Sequence, residues 1–137
     1  MGVITPTSHN ASMLVRRWTE TAAPAVVALC AAWCDTCNEF RATLERIAEL
    51  RPDTLFLWLD VEDDSDVCGD IDIENFPTLA IYRGGLLLHY GVTLPLEGPV
   101  SRLVDEIRAR PDSAGSAPQP VLELPQRLRA HVPAAGA

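Results

Sequence analysis

Residues 25–37 read AVVALCAAWCDTC, and the fold is decided by this stretch. Ala25 to Ala31 is a continuous apolar run bounded by Pro24 and by the cysteine motif. Its length and valine content predict a strand buried on both faces. Asp35 to Leu50 then carries Phe40, Leu44, Ile47 and Leu50 at the spacing of a core-facing helical stripe, with Arg41, Glu45 and Glu49 on other faces. Cys34 and Cys37 therefore stand at C-x-x-C spacing where a buried strand turns into a helix. The first cysteine meets the unpaired N–H groups and positive end of that helix, which favour a thiolate. The second lies one turn inside, less exposed but within reach of the first. That asymmetry suits Cys34 to attack a disulfide and Cys37 to resolve the mixed disulfide.

Outward from this stretch the signals alternate. Gly2 to Pro6 suits a short first strand, and residues 7–10 (TSHN) offer capping side chains for a helix over 11–21 with Met13, Leu14 and Trp18 on one face. Thr54 to Val61 (TLFLWLDV) is a second apolar strand, and a short acidic helix is expected over 65–72. Thr78 to Tyr82 and Leu86 to Tyr90 flank Arg83-Gly84-Gly85, a hairpin signal. Gly98 to Arg110 closes the series as a helix, with Leu103, Val104 and Ile107 inward and Arg108 and Arg110 at its negative end. The pattern predicts an α/β architecture, a central mixed β-sheet flanked by helices on both faces. From Pro111 the composition shifts to PDSAGSAPQP, which is linker chemistry. The expected division is one domain over 1–110 and a Pro/Ala-rich C-terminal tail over 111–137, where Pro125 is placed to start one short helix near 125–132.

Trp33-Cys34-Asp35-Thr36-Cys37, with Phe76-Pro77-Thr78 further along, closely resembles the thioredoxin family. The family motif is Trp-Cys-x-x-Cys, with an apolar residue, Pro and Thr holding a cis-proline against the redox pair. The resemblance runs in element order over roughly residues 3–110. It implies a thioredoxin-like fold and thiol–disulfide oxidoreductase activity on protein disulfides through Cys34 and Cys37. It also implies a substrate groove formed by Trp33, Asp35, Thr36, Phe76, Pro77 and Thr78, with Pro77 cis. The implied partners are disulfide-containing proteins and an upstream flavoprotein reductase or small thiol that donates electrons. Three departures stand out. Asp35-Thr36 replaces the common Gly-Pro, and a carboxylate beside Cys34 opposes the thiolate, which predicts an electron donor more than an oxidant. Ala28 stands where the family carries a buried aspartate assisting proton transfer at the second cysteine, and Phe56 falls near its lysine partner. Ala42 replaces a helix-kinking proline.

The 137 residues include 11 Arg, no Lys and 19 acids, a net charge of −8 that argues against nucleic acid and anionic lipid as ligands. No window is apolar enough for a membrane span, and residues 1–10 lack the charged and apolar regions of a secretory leader, so a cytoplasmic setting is expected. Residues 60–74 hold eight acids and no Arg, whereas the remaining 11 acids balance 11 Arg. A calcium loop would need D-x-D-x-D-G, which is not met, so this segment reads as a solvated face. Zinc needs about four ligands, and neither a second C-x-x-C nor a spaced His pair is present, so no metal or cofactor is expected. Trp18 and Trp58 are assigned to packing, Cys30 to the core and Cys68 to the surface of the acidic segment. Two other readings remain. One is an adaptor or folding helper that binds through the groove without turnover, with residues 121–132 folded over Cys34. The other is metal or cluster ligation by Cys34 and Cys37 between two chains.

Overall fold

Strand β1 (Ala25–Cys30) is buried along its whole length because it lies inside the sheet. It pairs in parallel with β2 (Leu55–Asp60) on one side and antiparallel with β3 (Thr78–Arg83) on the other. Strand β4 (Leu86–Val92) completes the order β2-β1-β3-β4. This computed structural model describes residues 2–7, 10–20, 24–69, 71, 73 and 77–130. The period of two in β1 sorts its side chains cleanly. Ala25, Val27 and Leu29 face one core, while Val26, Ala28 and Cys30 face another. Each face needs its own cover, and helices supply it on both sides.

The Val26 face is covered by α2 (Asp35–Glu49) and α4 (Glu97–Ala109), through Cys37, Phe40, Leu44 and Ile47 from the first and Val100, Val104 and Ile107 from the second. The Val27 face is covered by α1 (Ala11–Glu20), the single turn α3 (Ser65–Cys68), α5 (Gln119–Leu122) and α6 (Leu124–Ala130). Trp18 anchors α1 there, its indole N–H donating to the Gly84 carbonyl at 2.6 Å and its ring 5.1 Å from that of Tyr82. The hairpin between β3 and β4 turns at Gly84, whose φ of +58° suits glycine.

The structure differs from the sequence expectation at several elements. The N-terminal strand reduces to one bridge, Ile4 with Leu57. Ile4 N–H donates to the Phe56 carbonyl at 3.0 Å and accepts from Trp58 N–H at 2.9 Å. The next ladder donor would be Pro6, which has no N–H, so pairing stops. Helix α3 stops at Cys68 instead of running to Asp72, because Gly69 at φ +59° provides a left-handed C-terminal stop. Cys68 is fully buried rather than at the surface, since that turn directs Val67 and Cys68 into the Val27-side core. Desolvation pushes its thiol up to about 12.

Beyond α4 the chain stays attached. Arg83 bonds Asp112 at 2.8 Å, and Gly115 N–H donates to the Leu87 carbonyl at 2.7 Å. Two helices follow where one was expected, with Glu123 between them, and α6 packs on α1 and α3. Val121, Leu124 and Leu128 are each about 1% exposed, and the buried Tyr82 hydroxyl donates to the Val121 carbonyl at 2.7 Å. Residues 131–137 lie outside the described residues.

Candidate active site

Cys34 occupies the N-cap position of α2, in extended backbone conformation and half-buried. Its carbonyl accepts the first helical bond, from Asn38 N–H at 3.1 Å. Cys37 sits within the first turn and is fully buried. One thiol is therefore presented to solvent at the positive end of a 15-residue helix and its partner is held beneath. Burial holds the Cys37 thiol above its ordinary value, opposed by hydrogen bonds from the Cys30 thiol and the Ala31 N–H.

The loop that presents Cys34 is fixed from four directions. Val61 N–H donates to the Cys30 carbonyl at 2.9 Å and Cys34 N–H to the Ala31 carbonyl at 3.0 Å. The Asn38 amide reaches back to the Ala32 carbonyl at 3.0 Å. The fourth tie comes from Asp60, the last residue of β2, whose carboxylate accepts the N–H of Ala32 and, at 2.8 Å each, those of Glu62 and Asp63. Sequence reasoning placed Asp60 at a strand end and among solvated acids, with no part in the Cys34 loop. The signal was there: it is the single charge in the apolar run TLFLWLDV, and that position levels it with Cys30 in the parallel register. Asp60→Ala is expected to lower the unfolding free energy by about 2–3 kcal/mol, since three N–H groups lose a charged acceptor at once. Urea unfolding reads the loss and amide exchange at Ala32 locates it. Unchanged protection of Ala32 would mean that the other three ties suffice.

Trp33 is 66% exposed, and its indole N–H donates to the Glu62 carboxylate at 3.3 Å. Asp35 and Thr36 are exposed on the first turn of α2. Leu29 pairs with Thr78, so Pro77 comes level with the end of β1 and the start of the Cys34 loop. Pro77 is buried, with its carbonyl accepting the Thr93 N–H at 3.1 Å, and Thr78 is buried beside it. Phe76 lies outside the described residues. Val92 and Leu94, flanking Thr93, are exposed apolar side chains that sequence reasoning did not single out. Ala28 and Phe56 are both buried in the core that holds Cys37, so the position of the missing acid–base pair is apolar.

A mixed four-stranded sheet covered on both faces, with a dithiol at the N-terminus of the helix after its buried strand, defines a thioredoxin-like protein. The Thioredoxin family model matches residues 4–94, and the chain belongs to the thioredoxin family. Thioredoxin-2 of Saccharomyces cerevisiae is 38% identical over 60 residues, 44% of this chain and 58% of that protein. A thioredoxin of Ophiophagus hannah is 31% identical over 64 residues, 47% of this chain and 61% of that protein. The matched region thus spans about three-fifths of these relatives. Among solved structures, thioredoxin NaTrxh from Nicotiana alata superimposes with a TM-score of 0.64 at 20% identity, over 77% of this chain and 92% of that one. The long form of spinach chloroplast thioredoxin F gives 0.63 at 20% identity, over 79% and 88%. At such identities the structures speak for the fold.

Proposed function

We propose that this protein is a thiol–disulfide oxidoreductase that reduces protein disulfides by dithiol–disulfide exchange. Cys34 attacks a substrate sulfur, forming a mixed disulfide and releasing one substrate thiol. Cys37 then attacks the Cys34 sulfur, closing the Cys34–Cys37 disulfide and releasing the second. An upstream reductase or a small thiol restores the dithiol. The observation that carries this reading is the unequal presentation of two thiols at C-x-x-C spacing, one half-buried on a helix N-terminus and one fully buried in its first turn. Trp33, Asp35, Thr36, Phe76, Pro77 and Thr78 are the residues assigned to the substrate. Extended substrate backbone would run along the Pro77–Thr78 edge, where main-chain bonds give affinity with little sequence selection. A reducing compartment, the cytoplasm, belongs to the same reading. No helix among the described residues is long and apolar enough to cross a membrane.

The adaptor alternative rested on the missing acid–base pair at Ala28 and Phe56, whose positions are apolar, and on a tail whose residues 121–132 could cover the Cys34 groove. Helix α6 instead packs on α1 and α3, against the sheet face opposite that of Cys37. The test is reduction of a disulfide-containing protein with dithiothreitol as donor. The wild-type chain is expected to accelerate the reaction and Cys34→Ser to fall to the rate of dithiothreitol alone. Equal rates for the two proteins would leave the adaptor.

A further inference from the structure

The β-turn that delivers Cys34 is held at both of its central residues by one neighbouring turn. Cys34 N–H closes the first turn on the Ala31 carbonyl at 3.0 Å, which leaves Ala32 and Trp33 at its centre. The second turn runs over 60–64, where β2 ends. Asp60 meets Ala32 at the main chain, and Glu62 meets the Trp33 indole N–H at 3.3 Å. These partners lie 28 and 29 positions apart in sequence, so the contact exists only because β1 and β2 end side by side.

Asp60 divides two tasks between its two carboxylate oxygens. Oδ1 accepts the N–H groups of Glu62 and Asp63 at 2.8 Å each, the bonding of a helix N-cap, and so shapes its own turn. That turn is closed a second time, by Asp64 N–H on the Asp60 carbonyl at 2.8 Å and by Asp60 N–H on the Asp64 carboxylate at 2.7 Å. Oδ2 has no part in this. It reaches out of the turn to the Ala32 N–H. Asp60 is only 8% exposed, so these three donors hold its carboxylate where water largely cannot.

Attack by Cys34 depends on orientation. The Cys34 thiolate bonds to one sulfur of a substrate R–S–S–R′, the S–S bond breaks, and R′ leaves as a thiolate that takes its proton from water. The attacking sulfur must approach along the S–S axis, and a misplacement of about 1 Å costs on the order of a hundredfold in steps of this kind. We infer that Asp60 is a positioning residue for this attack: its Oδ2, bonded to the Ala32 N–H, fixes the turn that aims the Cys34 sulfur at the substrate disulfide. Asp60 acts through that turn, with its carboxylate spent on main-chain N–H groups. This role deepens the oxidoreductase reading and rests on it.

Asp60→Asn separates the two tasks, because a carboxamide has one acceptor oxygen and an NH2 group. Its oxygen is expected to keep the two N–H groups of the 60–64 turn, where asparagine caps as well as aspartate, and its NH2 then faces the Ala32 N–H, donor against donor. The experiment isolates attack by placing Asp60→Asn in the full-length Cys37→Ser chain and timing the mixed disulfide formed with insulin. Trapping is expected to slow roughly ten- to a hundredfold. Alkylation of Cys34 by iodoacetamide across pH is the control, since it needs the thiolate but no alignment with an S–S axis. It is expected to be no slower, because the substitution removes a negative charge that could only oppose the thiolate. Equal trapping by parent and variant would overturn the positioning role alone. A slowing of alkylation that matches the slowing of trapping would also overturn it, because Asp60 would then act on the charge of Cys34 and not on its aim. Labelling of the fully buried Cys30 and Cys68 in the variant would do the same, since Asp60 would then hold the whole fold and not one turn. A parent chain that traps no insulin would instead overturn the oxidoreductase reading, and this role with it.

Discussion

Leu128→Ala is expected to remove about 2–4 kcal/mol of stability, a large part of the 5–15 kcal/mol typical of a domain. The residue stands eighteen positions beyond the expected domain end at Arg110, so a dispensable tail would predict almost nothing. Its side chain is about 1% exposed and shares a core with Trp18, Tyr82, Val67 and Cys68. Truncation leaves a cavity bounded by α1, α3 and the sheet, and those elements cannot collapse into it without moving the Trp18 and Tyr82 rings. Next to it, the Arg127 guanidinium lies over Gly69, where a Cβ would have to push it aside. Leu122→Ala is the internal control: Leu122 is 38% exposed, and its loss is expected to stay within about 0.5 kcal/mol. Urea unfolding of the three proteins separates the cases. Equal midpoints for Leu128→Ala and wild type would show that α6 only rests on the domain.

This prediction marks the boundary of what the sequence carried. The buried strand, the helix after it and the Gly84 hairpin are local patterns, each specified by residues within about a turn or strand of one another. The spacing of Val121, Leu124 and Leu128 is also local, and it announced an apolar helical stripe. What it docks on is not local. That depends on Gly69 leaving room for Arg127 and on Tyr82 offering its hydroxyl to Val121, residues 58 and 39 positions apart in sequence. Cys68 was misplaced for a related reason. Acidic neighbours suggested a solvated face, but a single helical turn separates inward Val67 and Cys68 from outward Glu62 and Asp63.

The site shows the same division. C-x-x-C spacing after an apolar strand singled out Cys34 and Cys37 as candidates and predicted their unequal exposure, which the structure has. Cys30 and Asp60 were visible as residues but not as parts of the site. Both sit at strand ends, one on β1 and one on β2, and their parallel register brings them level. Pairing then divides the work. Cys30 is buried in the core that holds Cys37, while Asp60 gathers the N–H of Ala32 and fixes the loop. No pattern within either strand predicts a partner on the other.

Cys37→Ser is expected to turn the protein from a catalyst into a trap. Cys34 is half-buried on the end of α2 and Cys37 fully buried beneath it, so incoming substrate reaches Cys34 first. With serine below, the first exchange still forms the Cys34 mixed disulfide, but the hydroxyl is too poor a nucleophile toward sulfur to displace it. Reduction should fall to the rate of dithiothreitol alone while a covalent adduct accumulates toward one substrate per chain. Cys34→Ser should also lose reduction but collect no adduct, because its remaining site thiol is covered and held above the ordinary thiol range. Non-reducing electrophoresis with mass mapping of the adduct distinguishes the variants. Equal trapping by both, or an adduct mapped to Cys37, would reverse the assigned roles. The proposed attack uses the thiol at the helix N-terminus and the proposed resolution the buried thiol behind it, and these two variants measure the halves independently.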